Sequence, residues 1–299
     1  MRAQIVMATH NPRTDLFERQ IASLRAQTVE DWQCLVFDDS STDRDEVQRR
    51  LTDPRFVFLP ATDHLGAYRA FEHLLTLGDD LPTFLCDQDD TWHPAKLERM
   101  LSAPASQATF CAMRVVDPAG QPIRQRYLPR PPSAETLTPA GLLLMNVVSG
   151  AAMMVSPQVV RAALPFPAPD LRGWHDQWLA AVAARLGTVS YLHEALTDYT
   201  RHESQVTGDG LRQIDRQRLR SYTHSLRGRG LRHDLSSRAG WVRAAAQRLL
   251  EIPGPEDPDL EALARGHWAG LLSASLRRGD VPVARAALLA AGNITRRWR

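Results

Sequence analysis

The sequence predicts an α/β fold: a mostly parallel sheet flanked by helices, with a C-terminal helical extension. Two patterns predict it. Short apolar runs alternate with amphipathic helical stretches through the first 100 residues, and from residue 211 onward the pattern is helical alone. A third observation, charge, divides the chain at the same place. Residues 1–210 carry 19 basic and 26 acidic side chains, whereas 211–299 carry 17 and 8. The expected organisation is one domain over 1–210 and an arginine-rich helical extension over 211–299.

The elements follow in order. QIVMA (4–8) reads as a strand. The helix over 15–27 sets Phe17, Ile21 and Leu24 on one face, with Thr14 as its N-cap. WQCLVF (32–37) is a second strand, 43–51 a second helix, and RFVFL (55–59) a third strand. Ala70, Phe71, Leu74 and Leu75 give 67–77 helical spacing. PTFLC (82–86) is a fourth strand, and a helix over 94–101 has Pro94 in its first turn. Alternation at this pitch argues for parallel strands joined by right-handed crossovers. Beyond it, 109–116 and 151–156 read as strands on either side of a proline-rich loop at 126–139. A helix at 157–164, another over 174–186, and two short strands, VSYL and ALTDY, complete the region. The helical tail breaks at IPGPEDPD (252–259).

Composition bounds the function. In 299 residues, 43% hydrophobic content supports a sizeable core and argues against wholesale disorder. Cys34, Cys86 and Cys111 are odd in number, lack metal-type spacing and sit in apolar runs. They read as buried free thiols in a reducing compartment. The chain runs straight into its first strand with no charged-then-apolar leader. No stretch approaches the ~18 apolar residues of a membrane span. The expected location is the cytoplasm, or the periphery of a membrane at its inner face. Lys96 is the only lysine among 36 basic residues, a preference for arginine that reads as coding bias.

Three polar clusters follow apolar strands: ATHN (8–11), DDSSTD (38–43) and DQDD (87–90). In a parallel sheet all three share the carboxyl edge, where open α/β sheets bind ligands. Asp87, Gln88, Asp89 and Asp90 crowd like charges into one turn, which suits Mg²⁺ or Mn²⁺ with a diphosphate completing the shell. The structural alternative is an Asx-rich turn capping the next helix. Asp38 or Asp39 can accept hydrogen bonds from a ribose or base, or one of them can cap the 43–51 helix, a role open to Asp43 as well. Neither GxGxxG nor GxxxxGK[ST] follows the first strand, which argues against dinucleotide enzymes and P-loop NTPases. His175 and Asp176 open a helix, where an acidic residue is also ordinary dipole chemistry. Arg201 and His202 follow a strand-like run.

Together these residues resemble the family 2 glycosyltransferases of GT-A fold, a Rossmann-like architecture. The resemblance rests on the ATHN turn, AQTVEDWQCLVFDDSSTD (26–43), LGAYRAFEHLL (65–75), FLCDQDDTWHPAKLE (84–98), WHDQWLA (174–180) and YTRHESQVTG (199–208), and covers about 1–210. DQDD followed by Trp-x-Pro-x-Lys-Leu looks most like bacterial enzymes that build surface polysaccharides, rhamnosyltransferases among them. The resemblance implies an inverting, metal-dependent transfer of a hexosyl or rhamnosyl group from a UDP- or dTDP-sugar to a glycan or lipid-linked acceptor. Ala8, Thr9 and His10 would line the base pocket, with Asp39 on the base or ribose and Asp38 beside it. Arg69 would reach the donor's phosphate or ribose. Asp87 and Gln88 would also lie against the nucleotide sugar. Asp87 and Asp89 match the metal-binding positions, Asp176 the catalytic base, and His202 a late histidine that approaches the metal or diphosphate. His10 stands where a tyrosine is common, Ser40-Ser41 where Gly-Ser is common, and His64 where an asparagine is common. The late motif reads His202-Glu203-Ser204-Gln205 in place of HxxN.

Residues 211–248 hold ten arginines against Asp215 and Asp234. That run reads as a solvated helical face packed on the domain, as a contact for anionic lipid, or as a surface for another subunit or an acidic glycan. Nucleic-acid binding is not expected, for no recognised motif is present and the first 210 residues are net acidic. A nucleotidyltransferase is the competing enzyme class, but the basic glycine-rich loop of such enzymes is missing. A degenerate nucleotide- or glycan-binding module is the non-enzymatic alternative, opposed by the intact set Asp39, Asp89 and Asp176.

Overall fold

The computed structural model describes residues 2–202 and 229–267, apart from Pro129, Ser133, Glu135, Pro169, Asp170 and Arg172; from 229 to 236 it describes the backbone. Strands β1 (Ala3–Thr9), β2 (Trp32–Asp38), β3 (Phe56–Pro60) and β4 (Thr83–Cys86) are parallel neighbours in the order β3-β2-β1-β4. Helices α1 (Thr14–Arg25), α2 (Arg44–Arg50) and α3 (Ala67–Thr76) connect them. Both faces of this sheet are covered, so the strands are apolar throughout. Side-chain alternation then divides each strand between two cores. Ile5, Met7, Cys34, Val36 and Phe84 join Phe17, Ile21 and Leu24 of α1 on one face. Val6, Leu35, Phe37 and Leu85 join Ala70, Phe71, Leu74 and Leu75 of α3 on the other. The strand order reverses between β1 and β4, which places the ligand crevice of such sheets outside their carboxyl ends.

The second half of the sheet is mixed. β5 (Thr91–Trp92), β6 (Ala108–Val116), β7 (Pro122–Arg124), β8 (Met153–Val155) and β9 (Val189–Thr200) extend the order as β4-β8-β6-β9-β5, with β7 beside β6. Only β6 and β9 pair in parallel among these new contacts; the others are antiparallel. Helices α4 (Lys96–Leu101), α5 (Pro139–Leu144), α6 (Pro157–Ala163) and α7 (His175–Leu186) complete this half.

Several local expectations change. Thr14 is the first residue of α1, and the N-cap is Arg13 without a side-chain hydrogen bond. Run 151–156 divides into a 3₁₀ turn, Gly150–Ala152, and the short β8. VSYL and ALTDY are one strand, β9, whose register against β6 shifts between Cys111 and Met113. Asp43 is the cap of α2, accepting from Glu46 N–H at 2.9 Å.

Helix α8 (Arg229–Glu251) and helix α9 (Pro258–Arg265) flank the expected break, and Asp257 caps the second. Trp241, Val242, Ala245, Ala246 and Leu249 form a helical stripe on α8. They are fully buried in the apolar cluster that also holds residues of α3, α5, α6 and α7. The expected boundary at 210, and the tail beyond 267, lie outside the described residues. All three cysteines are free and buried. No described helix is long and apolar enough to cross a membrane.

Candidate functional site

The β1 and β2 loops are stitched together at the sheet edge. Thr9 Oγ1 turns inward and donates to Asp38 Oδ1 at 3.0 Å, while Ala8 is partly buried. Asp38 also accepts from Ser41 N–H at 3.1 Å and Ser41 Oγ at 2.6 Å, so its buried carboxylate belongs to the turn. Asp39 faces the other way. Its two oxygens accept from Leu65 N–H at 2.6 Å and Gly66 N–H at 2.8 Å, fixing the start of α3. His64 Nδ1 lies 3.0 Å from the same carboxylate. His10 Nδ1 lies 2.7 Å from the Asp39 carbonyl, which can only accept, so that nitrogen carries the proton. Nε2 of His10 then accepts from Asn11 Nδ2 at 3.0 Å. The exposed rings of His10 and His64 stand 4.3 Å apart. Arg69, one turn into α3, is paired with Glu72, whose second oxygen accepts Phe166 N–H at 2.8 Å.

The acidic turn closes the crevice from the β4 side. Gln88 Oε1 accepts from His10 N–H at 2.8 Å, across the point where the strand order reverses. Asp90 is fully buried and accepts Thr200 N–H at 2.9 Å, tying the turn to the end of β9. That places His202 beside it, with Nε2 2.8 Å from Asp89 Oδ2. None of these acids caps α4, whose N-cap is Ala95 without a side-chain bond. Burial, then the charges of Asp89 and Asp176, push the Asp87 carboxyl up to about 7. Burial, then the charges of Asp89 and Asp87, push Asp90 well above the usual carboxylate range.

Asp176 lies in the first turn of α7, near enough to Asp87 for its charge to be felt there. Three donors hold it. Asn146 Nδ2 and Gln177 N–H reach Oδ1 at 2.9 and 2.6 Å, and Gly150 N–H reaches Oδ2 at 3.2 Å. A Cβ on residue 150 would stand 2.8 Å from His175 Nε2, so this close backbone approach requires glycine. His175 is buried and stacked on Phe71 at 3.9 Å, and burial holds its pKa below the usual value. Asn146 and Gly150 were not anticipated; the one signal for Asn146 is an amide inside the apolar run LLLMNVV.

The acidic turn carries the donor types that a divalent cation takes, without a closed set of them. Asp87, Asp89 and His202 offer carboxylate oxygens and an imidazole, and burial with the neighbouring acids raises the pKa of Asp87. Asp90 Oδ2 is buried without a partner. Among the described residues no three His, Cys, Asp or Glu side chains are grouped so that they could hold a metal ion.

Comparisons with known proteins bear on the family and the fold. Residues 4–158 match the model of glycosyl transferase family 2. An uncharacterized glycosyltransferase of Nostoc sp. is 27% identical over 216 residues, 68% of this chain and 65% of that protein. The chain thus spans just under two thirds of that relative's length. Among solved structures, residues 1–349 of Staphylococcus aureus TarS in complex with UDP-GlcNAc superpose with a TM-score of 0.62 at 14% identity, covering 98% of this chain and 79% of that one. The mannosyltransferase PcManGT of Pyrobaculum calidifontis, in complex with GDP-Man and Mn²⁺, gives 0.54 at 18% identity, covering 99% and 87%. The fold is therefore GT-A. With the family model spanning more than half of its length, the chain belongs to glycosyl transferase family 2.

Proposed function

We propose that the protein is an inverting, metal-dependent glycosyltransferase of polysaccharide biosynthesis. It moves a hexosyl or rhamnosyl group from a UDP- or dTDP-sugar to a hydroxyl of a glycan or lipid-linked acceptor. The observation that carries this reading is Asp176, held by three donors beside an acidic turn that needs positive charge. Asp176 takes the proton of the acceptor hydroxyl as that oxygen bonds to the anomeric carbon. The bond from that carbon to the diphosphate breaks on the opposite face, so one displacement inverts the centre and no protein nucleophile is required. Asp87, Asp89 and His202 would hold Mg²⁺ or Mn²⁺, which when bound neutralises charge on the departing diphosphate. Asp39, His10, Thr9 and Ala8 frame the base and ribose, with Asp38 shaping their turn and Gln88 locking it to β4. Arg69 would reach the donor by leaving Glu72. Complexes of the two structural relatives with nucleotide sugars support the class of donor.

A lipid-linked acceptor would bring residues 211–248 near an anionic membrane surface. Of the ten arginines there, Arg238, Arg243 and Arg248 are engaged within the protein, with Gln177, the Ala264 carbonyl and Glu251. The side chains of the others lie outside the described residues.

The test is thermal unfolding with UDP, dTDP and GDP, each with and without Mn²⁺. A nucleoside diphosphate at 100 times its Kd adds about 2.7 kcal/mol, roughly 5–10 °C at this size. A shift that needs Mn²⁺ and one nucleotide supports the reading. No shift with any of them overturns it.

A further inference from the structure

Lys96, the chain's one lysine, is fully buried at the start of α4. Its Nζ donates to the Ala151 carbonyl at 2.5 Å and lies 3.5 Å from the centre of the Trp92 ring. Thr197 Oγ1 donates to the same carbonyl at 3.3 Å. Cys86 of β4, Cys111 of β6, and Asp87 and Asp90 of the acidic turn are near enough to act on its charge. Burying an ammonium is costly, and methionine would fill similar space without that cost. The retained charge therefore calls for a task that an apolar side chain cannot perform. Ala151 supplies one, since it follows Gly150, whose N–H holds Asp176 Oδ2. Lys96 in turn follows the acidic turn by six residues. It thus joins the two halves of the site through one hydrogen bond.

We propose that Lys96 is a positioning residue: by holding the Ala151 carbonyl it fixes the 3₁₀ turn whose Gly150 N–H orients Asp176, and locks that turn to the acidic turn. The inference rests on the reading of Asp176 as the base. Contacts to the base and ribose, on the β1 and β2 loops, do not pass through this link, so binding read without metal separates from turnover.

The test uses the full chain with Lys96→Met and Lys96→Arg. Turnover is read as release of nucleoside diphosphate from the nucleotide sugar the wild type consumes. Binding is read by calorimetry with UDP, dTDP or GDP in the absence of metal. Amide exchange of the 146–153 segment is read on metal-free protein. The expected result for Lys96→Met is a kcat lowered ~10-fold or more, nucleotide Kd within about threefold, and 146–153 exchanging roughly tenfold faster. Lys96→Arg, which keeps a charged donor, should recover most of the loss. A folded Lys96→Met with wild-type kcat, or with unchanged exchange at 146–153, overturns the inference. So does a parallel loss of kcat and binding, the mark of a general structural defect. Should Lys96→Met fail to fold, Lys96→Gln, which removes the charge and shortens the donor, is read the same way: faster exchange at 146–153 supports the link, and unchanged exchange overturns it. A wild type that consumes no nucleotide sugar would instead sink the reading of Asp176, because the exchange measurement needs no substrate.

Discussion

Replacing Trp241 with alanine tests whether α8 belongs to the catalytic half. The indole is fully buried, and its Nε1 donates to the Tyr68 hydroxyl at 3.0 Å. It packs so closely on Gly173 that a Cβ there would stand 2.0 Å from Nε1. The Arg238 guanidinium lies 4.6 Å from its ring and bonds Gln177 of α7. Gln177 in turn donates to the carbonyls of Leu142 and Leu143. Contacts from α8 therefore fall on both sides of Asp176, at 173 and at 177. Truncating a buried tryptophan to alanine costs roughly 3–5 kcal/mol, which at this size lowers the melting temperature by roughly 6–20 °C. Trp241→Phe keeps most of the apolar contact. It loses the indole N–H, while the Tyr68 hydroxyl keeps its bond to the Pro167 carbonyl at 2.9 Å, so the cost falls to about 1–2 kcal/mol. Thermal unfolding gives the stability, and turnover measured well below the melting temperature gives the geometry of Asp176. A Trp241→Ala protein that melts within about 2 °C of wild type and turns over normally would refute the reasoning, leaving α8 as a passive cover.

Three further outcomes follow from the same contacts. In Asp176→Asn the new amide faces donors on both sides, Asn146 and Gln177 on one and Gly150 on the other. Stability should fall by about 1–2 kcal/mol and turnover by ~10²-fold or more, with nucleotide binding retained; near-normal turnover would exclude Asp176 as the base. Gly150→Ala drives a methyl against His175, which cannot retreat because Phe71 stacks behind it. Calorimetric unfolding should register a loss of about 1–3 kcal/mol, and an unchanged transition would show that the turn yields freely. Finally, burial pushes the Cys34 and Cys86 thiols upward and Cys111 is equally enclosed. Native protein should leave Ellman's reagent unreacted at pH 8, with three thiols released on denaturation; rapid native labelling of any one contradicts this burial.

The first four strands and three helices were legible because each strand is buried on both faces and each helix shows one apolar stripe. β9 was not. His193 and Glu194 are exposed in its middle, Glu194 pairing with Arg99 of α4, and they interrupt the apolar pattern without interrupting the strand. The 3₁₀ turn at Gly150–Ala152 was equally invisible. Its backbone is shaped by distant partners, with Asp176 at one end and Lys96 at the next residue. At the site, the sequence located three loops on one edge but left the paired carboxylates of 38 and 39 equivalent. Adjacent strand residues point to opposite sides, so Asp38 turns inward to Thr9 and Ser41 while Asp39 meets α3.

Charge and burial divide this chain differently, and the difference has a physical origin. Net charge is a property of the surface, because ionised side chains are rarely buried. An arginine-rich stretch therefore stands out from an acidic domain whatever its inner face does. The stripe of Trp241, Val242, Ala245, Ala246 and Leu249 is apolar and says nothing about charge, yet it fills the wall behind the segment that carries Asp176. A helix can thus look like an appendage in composition and be core in packing. Its arginines agree, for Arg238 is turned inward to Gln177 and Trp241 rather than out to solvent. The candidate site is consequently assembled from segments around 10, 39, 89, 150, 176 and 202, with 241 packed behind them. Only the first three follow strands of the parallel sheet, the pattern a sequence displays most openly.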